Sequence, residues 1–537
     1  MPASLLAVRP WLIAIALVEI AAFVLLPLAG WPAVTRVSVV LLVGVLLGLA
    51  LVRPWRWRLP ELAALTEWAP SSRAVWTAAG IVGCVLFWFV LTRFRSGELN
   101  AVDFTVYYDR PAFQTLHGRP MFVETADDVL RAQQTYFSVH AHWVMLPLSA
   151  LYAIHATPLW LLAVSVIAVV AGAVNVLRVV QRMGAGGLVA SASALAFVLN
   201  DNTARTLNYG FHVEVLYAWL IPWLINAAMA GRRRTFLVAA VACVAVKEDA
   251  LLLLCATSIA LALVRFKSMT RLDRVAYLIG PPLIALLNLG VYYGYFLPRL
   301  RPGGVPFYAN YWASYGPTLG RAFVGMLAAP GRVLTRTLTS GFFRRVLVPH
   351  LFLPLVGWRW TLGIVPIVLL YGASDNEQMR SYGIYYAIVL VPFLVIGAAA
   401  GALAVTHRVW TDPTRARLVA SAAIVFGALL AGMTDAGYSL RPWKSEIGAM
   451  PSALAQLAGE RVVLVQSGLY PHAGYESRIQ LLTPAALASP QNAGAAVLLA
   501  PAISAWPVPN EELASLARLA PITAMPRGLI AVRVPGQ

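Results

Sequence analysis

Lys247, Glu248 and Asp249 stand alone in an apolar stretch. Between residues 235 and 264 nothing else is charged, and Arg232, Arg233 and Arg234 close one end while Arg265 and Lys267 close the other. Ionisable side chains in a hydrocarbon environment are costly and as a rule line a cavity or a pathway. Cationic clusters mark cytoplasmic ends, so both ends return to one face and the stretch becomes a hairpin of two short helices. At 1.5 Å per residue its arms, 235–246 and 250–264, reach only ~18 and ~22 Å, whereas a hydrocarbon core is ~30 Å thick. The triad at the far turn is therefore expected in a recess below the outer surface. The competing geometry is one tilted helix with Lys247 snorkelling or held in an ordinary buried ion pair.

The rest of the chain agrees with a membrane solvent. Hydrophobic residues make up 60% of the 537 and charged residues 12%, with a mean hydropathy of +0.72. No soluble fold of this size hides that much apolar surface, so the fold class is an all-α polytopic membrane protein. A net charge of +18 fits basic loops against anionic lipid. No basic run is interleaved with aromatics as nucleic-acid binding would require. Cys84, Cys243 and Cys255 all fall in apolar runs, without disulfide or metal-type spacing.

Apolar segments recur near 11–30, 37–52, 74–92, 158–180, 187–200, 213–230, 235–246, 250–264, 275–297, 346–357, 361–372, 383–405 and 417–436. Basic clusters alternate with them as cytoplasmic loops would. The pattern predicts about thirteen transmembrane helices with a cytoplasmic N-terminus. Arg93, Arg95, Arg299, Arg301, Arg344 and Arg345 break the rule on the face read as external. Four regions result: N-terminal helices 1–92, a first large external loop 93–157, a transmembrane core 158–436, and an extracytoplasmic tail 437–537. Strand-like runs at 461–466, 495–500 and 529–534, with a polar helix near 510–519, predict a small α/β domain there.

Candidate chemistry sits where spans meet external loops. Asp103 lies in a run rich in aromatics, and a carboxylate there suits a general base beside a sugar-stacking wall. If that run is an α-helix, Asp103, Tyr107 and Arg110 share a face. His140 and His142 flank Ala141, a spacing that suits a metal ion only in extended chain. Phe211-His212-Val213-Glu214 adds a second His–acid pair. Together with Glu248 and Asp249 these leave room for a divalent metal, although no cofactor motif is present. Arg380, in the polar turn 374–382, has the planar fork that clamps phosphate. No P-loop, nucleophile elbow, zincin or dinucleotide fingerprint occurs.

Taken together, Asp103 with Gln114, a His before Pro147 and Tyr152, Phe211-His212-Val213-Glu214, Lys247-Glu248-Asp249 and Tyr385-Tyr386 resemble the prokaryotic membrane-protein family catalogued as domain of unknown function 2079. Gly468-Leu469-Tyr470-Pro471-His472 and Arg478 in the tail are similar to that family's outward segment. The resemblance runs from about residue 95 onward. It implies an architecture similar to the GT-C superfamily of polyprenyl-phosphate-sugar glycosyltransferases, in the bacterial inner membrane and among its lipids. On that implication Asp103 is catalytic and inverts the anomeric centre. Lys247 and Arg380 meet the donor phosphate, and His140, His142, His212, Glu214, Glu248 and Asp249 are sugar-binding or orienting, the acids and His212 binding sugar hydroxyls or orienting Lys247. The competing class is a lipid or small-solute transporter that uses the same intramembrane charges as a pathway.

Overall fold

The computed structural model describes residues 64, 66–68, 70–99, 102–124, 134–301, 303, 306–432, 438 and 440–534. The two apolar segments expected at 11–30 and 37–52 lie outside them. Nine helices frame the described core: α1 Ser72–Arg95, α2 Leu159–Arg182, α3 Gly186–Leu199, α4 Val215–Met229, α5 Arg233–Val246, α6 Ala250–Arg265, α7 Arg271–Leu300, α8 Val391–Val409 and α9 Pro413–Gly432. Among the described residues six helices are long and apolar enough to cross a membrane, and four shorter apolar ones accompany them. This is a multi-pass membrane protein.

Local sequence sets the ends. The Ser71 hydroxyl accepts from Ala74 N at 3.2 Å to open α1, and a Thr270–Asp273 capping box opens α7. α2 packs against α1, α3 and α4, α3 against α9, and α8 against α9. Gly172 lets α2 approach α4, because a Cβ there would run into the Ala218 backbone. Helices can come that close only over small residues.

The charged triad breaks its stretch in two. α5 ends at Val246, Lys247 is extended (φ −164°, ψ 156°), and α6 begins at Ala250. The two arms touch, so the stretch is the short hairpin and not one tilted helix. One expected span is corrected. Residues 346–357 form no continuous helix: a π-helical turn at Phe343–Leu347 gives way to Val348–His350, then to a left-handed pair, Leu351 and Phe352, then to a single turn at Leu353–Val356. Pro349 and Pro354 each remove an N–H from a would-be helix interior. The later expected span is also shortened, with α8 starting only at Val391 after a tight turn at Tyr386–Val389.

The tail is a five-stranded sheet with helices. Strands β1 Val463–Val465, β2 Ile479–Leu481, β3 Ala496–Leu499, β4 Pro521–Thr523 and β5 Ile530–Arg533 run in the order β2-β1-β3-β5-β4. The first three are mutually parallel, and β5 pairs antiparallel with β3 and β4. β1, β3 and β5 fall on the strand-like runs. β2 alternates as Ile479-Gln480-Leu481 but is too short to stand out in the sequence, and β4, Pro521-Ile522-Thr523, has no apolar face.

Candidate active site

Where α1 ends, α4 begins and the α5–α6 hairpin turns, six chain segments bring their polar residues together. Glu214 immediately precedes α4 and is buried, and its two oxygens divide between an ammonium and an imidazole. Oε1 accepts from Lys247 Nζ at 2.6 Å, and Oε2 meets His212 Nδ1. Lys247 also lies 3.9 Å from Asp249 Oδ2, and the Tyr217 hydroxyl donates to Asp249 Oδ1 at 3.3 Å. An ammonium with so little of its surface in water needs this much compensation, since withdrawing a charge from water costs several kcal/mol.

The neighbouring carboxylate does a different job. Glu248 takes the Ala141 amide on Oε2 at 3.0 Å and His140 Nδ1 on Oε1 at 2.7 Å. It thereby ties the His140–His142 loop to the hairpin turn. The two histidine rings stack on each other at 5.0 Å, and Tyr308 covers His140 from the other side at 5.2 Å. His142 is fully buried beside Tyr108 and Tyr136, and neither of its ring nitrogens has a hydrogen-bond partner. An imidazole always carries at least one N–H, so this group is one hydrogen bond short.

Asp103 reaches the same place by way of tyrosine. Its segment, Val102–Asp109, is π-helical, a form common at functional positions. The Tyr209 hydroxyl donates to Asp103 Oδ2, and the Tyr209 ring sits against both His212 and Tyr385. Tyr385 in turn stacks on His212 at 3.5 Å, and the Tyr108 hydroxyl meets His212 Nε2 at 3.1 Å. Gly210, at φ 104°, ends the helix Asp201–Tyr209 and turns the chain into the Phe211–Glu214 motif. Only glycine takes that conformation without strain.

Exposure separates two layers. Glu214, Glu248, His142 and His212 are buried, whereas the Lys247 side chain is 12% exposed and that of Asp249 35%. Asp103 is likewise partly open. The rim is Asp103, Lys247 and Asp249, and the buried residues form its support.

Eight of the nine expected site residues therefore belong to one network of contacts. Arg380 does not. Its guanidinium donates to the Ser374 carbonyl at 3.3 Å, within its own loop. The shared face expected for Asp103, Tyr107 and Arg110 is also corrected, because i→i+5 pairing rotates Arg110 away toward the tail. The reading of the residues passed over Tyr209, Tyr136, Tyr217 and Tyr308, which wall the site. Their only signal was the density of tyrosine near span ends, which interfacial anchoring explains equally well. Among the described residues no three His, Cys, Asp or Glu side chains are disposed to hold a metal ion.

The solved structures to which the chain is similar include ArnT from Cupriavidus metallidurans bound to undecaprenyl phosphate. That match has a TM-score of 0.47 and 11% identity, over 87% of this chain and 100% of that one. The same protein in the apo state gives 0.44 and 13%, with the same coverage. No curated protein is similar to the chain in sequence. The model of the family described as predicted membrane protein DUF2079 matches residues 95–455, two thirds of the chain, and the protein belongs to that family.

Proposed function

We propose that this protein is a GT-C-like glycosyltransferase that moves a sugar from a polyprenyl-phosphate donor to an acceptor hydroxyl at the outer face of the membrane. One observation carries the reading. A partly open carboxylate, Asp103, and a partly open ammonium, Lys247, belong to one buried network, so a base and a phosphate partner border the same site. The acceptor O–H gives its proton to Asp103 as its oxygen attacks the anomeric carbon, and the bond from that carbon to the phosphate oxygen breaks. Attack opposite the leaving group inverts the centre.

Lys247 meets the negative charge that grows on the departing phosphate. Glu214, backed by His212, fixes the ammonium in place and lets it face the rim. His142 stands behind the tyrosine wall with unpartnered ring nitrogens, and the half-buried Tyr209 and Tyr308 offer faces for a sugar ring. A transport pathway would need polar groups continuing below the cluster. Below Tyr217 the buried residues of α4 are apolar, and those of α2 are apolar apart from Ser165.

The test is Asp103→Asn in purified protein supplied with a panel of radiolabelled polyprenyl-phosphate sugars. Asparagine keeps the shape but takes no proton, so turnover should fall ~10²–10⁴-fold with donor binding nearly unchanged. A parent that makes no product with any donor, yet moves labelled lipid between leaflets, would end the enzyme reading.

A further inference from the structure

The residues that close the Asp103 segment face away from the candidate active site and into the tail. Arg110 is buried, and Nη1 donates to the Tyr470 hydroxyl at 2.9 Å and the Ile479 carbonyl at 2.8 Å. Nη2 donates to the carbonyls of Gly474 at 2.7 Å and Glu476 at 3.2 Å. Nη1 also pairs with Glu124 Oε2 at 3.1 Å, so the charge is compensated from within the loop. Asp109, the last residue of the π-helical turn, accepts on Oδ1 from Tyr152 at 2.6 Å and Tyr475 at 2.8 Å. Phe113 then stacks on Tyr475 at 4.4 Å and 15°.

The geometry is more demanding than a surface contact. The guanidinium fork is planar and rigid, and here it reads four acceptors supplied by one ten-residue stretch of the tail. A buried guanidinium that lost them would keep its desolvation cost without its hydrogen bonds. The observed shapes of the loop and of residues 470–479 therefore require each other. The other end of the loop is held from the same side, with His472 Nε2 3.0 Å from the Phe94 carbonyl and Lys444 N donating to the Arg95 carbonyl at 3.0 Å. A π-helical turn has poorer hydrogen-bond geometry than an α-helix and persists where its surroundings hold it.

We propose that tail residues 470–479 are a positioning element for Asp103, holding the π-helical turn that carries it through Asp109 and Arg110. The consequence for turnover rests on Asp103 being the general base, whereas the grip on the turn does not.

Hydrogen–deuterium exchange on the full-length protein in nanodiscs separates the two. Arg110→Met should speed exchange in peptides covering 102–116 by about tenfold or more, because several charge-assisted hydrogen bonds are lost together. Tyr475→Phe keeps the stacking on Phe113 and should give a smaller rise in the same peptides, which serves if Arg110→Met does not fold. Protection in α2 should stay parental in both. Parental exchange at 102–116 in both variants overturns the proposal. In the glycosyl-transfer assay both variants should lower kcat with KM for the donor unchanged, and a loosened turn with parental kcat equally overturns the positioning role. A parent without product on any donor defeats the function proposed above, while the exchange data still decide whether the tail holds the turn.

Discussion

Burial pushes the Asp109 carboxyl up to about 6, and the Tyr152 and Tyr475 hydroxyls and the Arg110 guanidinium only partly offset it. Both hydroxyls bond Oδ1, so Oδ2 can carry a proton without losing either. The protonated form suits the docked loop. The folded protein therefore binds a proton that the unfolded chain has released, and the stabilisation is full below the ordinary value of 3.8 and fades as pH rises through about 6. Its size is on the order of 2–3 kcal/mol. His472 works in the opposite sense, since burial lowers it to about 4 and its contribution is lost as pH falls toward that value. The difference between parent and Asp109→Asn isolates the carboxyl. In thermal unfolding the variant should gain on the parent between pH 5 and 7.5, and a gap that stays constant across that range would refute the assignment. None of this was legible in the sequence. Asp109 and Arg110 stand beside Asp103 and look like members of the same cluster, and only the i→i+5 pairing sends them to the tail.

At the scale of elements, the hairpin was the best-written part of the chain. Its cationic ends and its isolated triad fix the reversal, because charge in hydrocarbon has few affordable placements. The pairing inside the turn was not written there. Glu248 and Asp249 are the acids nearest Lys247 in sequence, yet the ammonium's short contact is to Glu214, the residue just before α4. Glu248 instead serves His140. Arg380 lies outside this network of contacts, its guanidinium donating to the Ser374 carbonyl of its own polar turn. Lys247→Met should therefore cost about 3–5 kcal/mol by stranding Glu214. Adding Glu214→Gln should recover much of that, because the carboxamide oxygen still accepts from His212 while the uncompensated charge is gone. Unfolding followed by tryptophan fluorescence in detergent would measure both. A single variant within ~1 kcal/mol of the parent, the range of an exposed pair, would mean that the pair does not hold the hairpin.

The whole molecule has two unlike ends. At one, Arg182 donates to Asn226, Arg265 to the Ala228 carbonyl, and Arg233 pairs with Asp273, so the last turns of α2, α4 and α6 and the first turns of α5 and α7 gather the basic clusters together. At the other end lie Asp103, Glu214, Lys247 and the tail. Arginines there break the positive-inside pattern, but two of them are engaged by neighbouring side chains. Arg93 is buried between Glu98 and Asn208, and Arg95 lies over the Trp443 ring. Cations neutralised or stacked in this way weigh less in orienting a chain than the exposed clusters opposite. The basic end is accordingly expected in the cytoplasm, and the tail and candidate active site on the outer face. Single cysteines at Arg271 and Glu511, both exposed, put the two ends to the test once Cys84, Cys243 and Cys255 are replaced by alanine. In intact cells, or spheroplasts if an outer membrane blocks entry, a membrane-impermeant maleimide should label Glu511→Cys and leave Arg271→Cys unreacted until the membrane is opened. Labelling of Arg271→Cys alone in sealed cells would invert the topology. It would also place Asp103 on the side where a donor presented at the outer leaflet could not reach it.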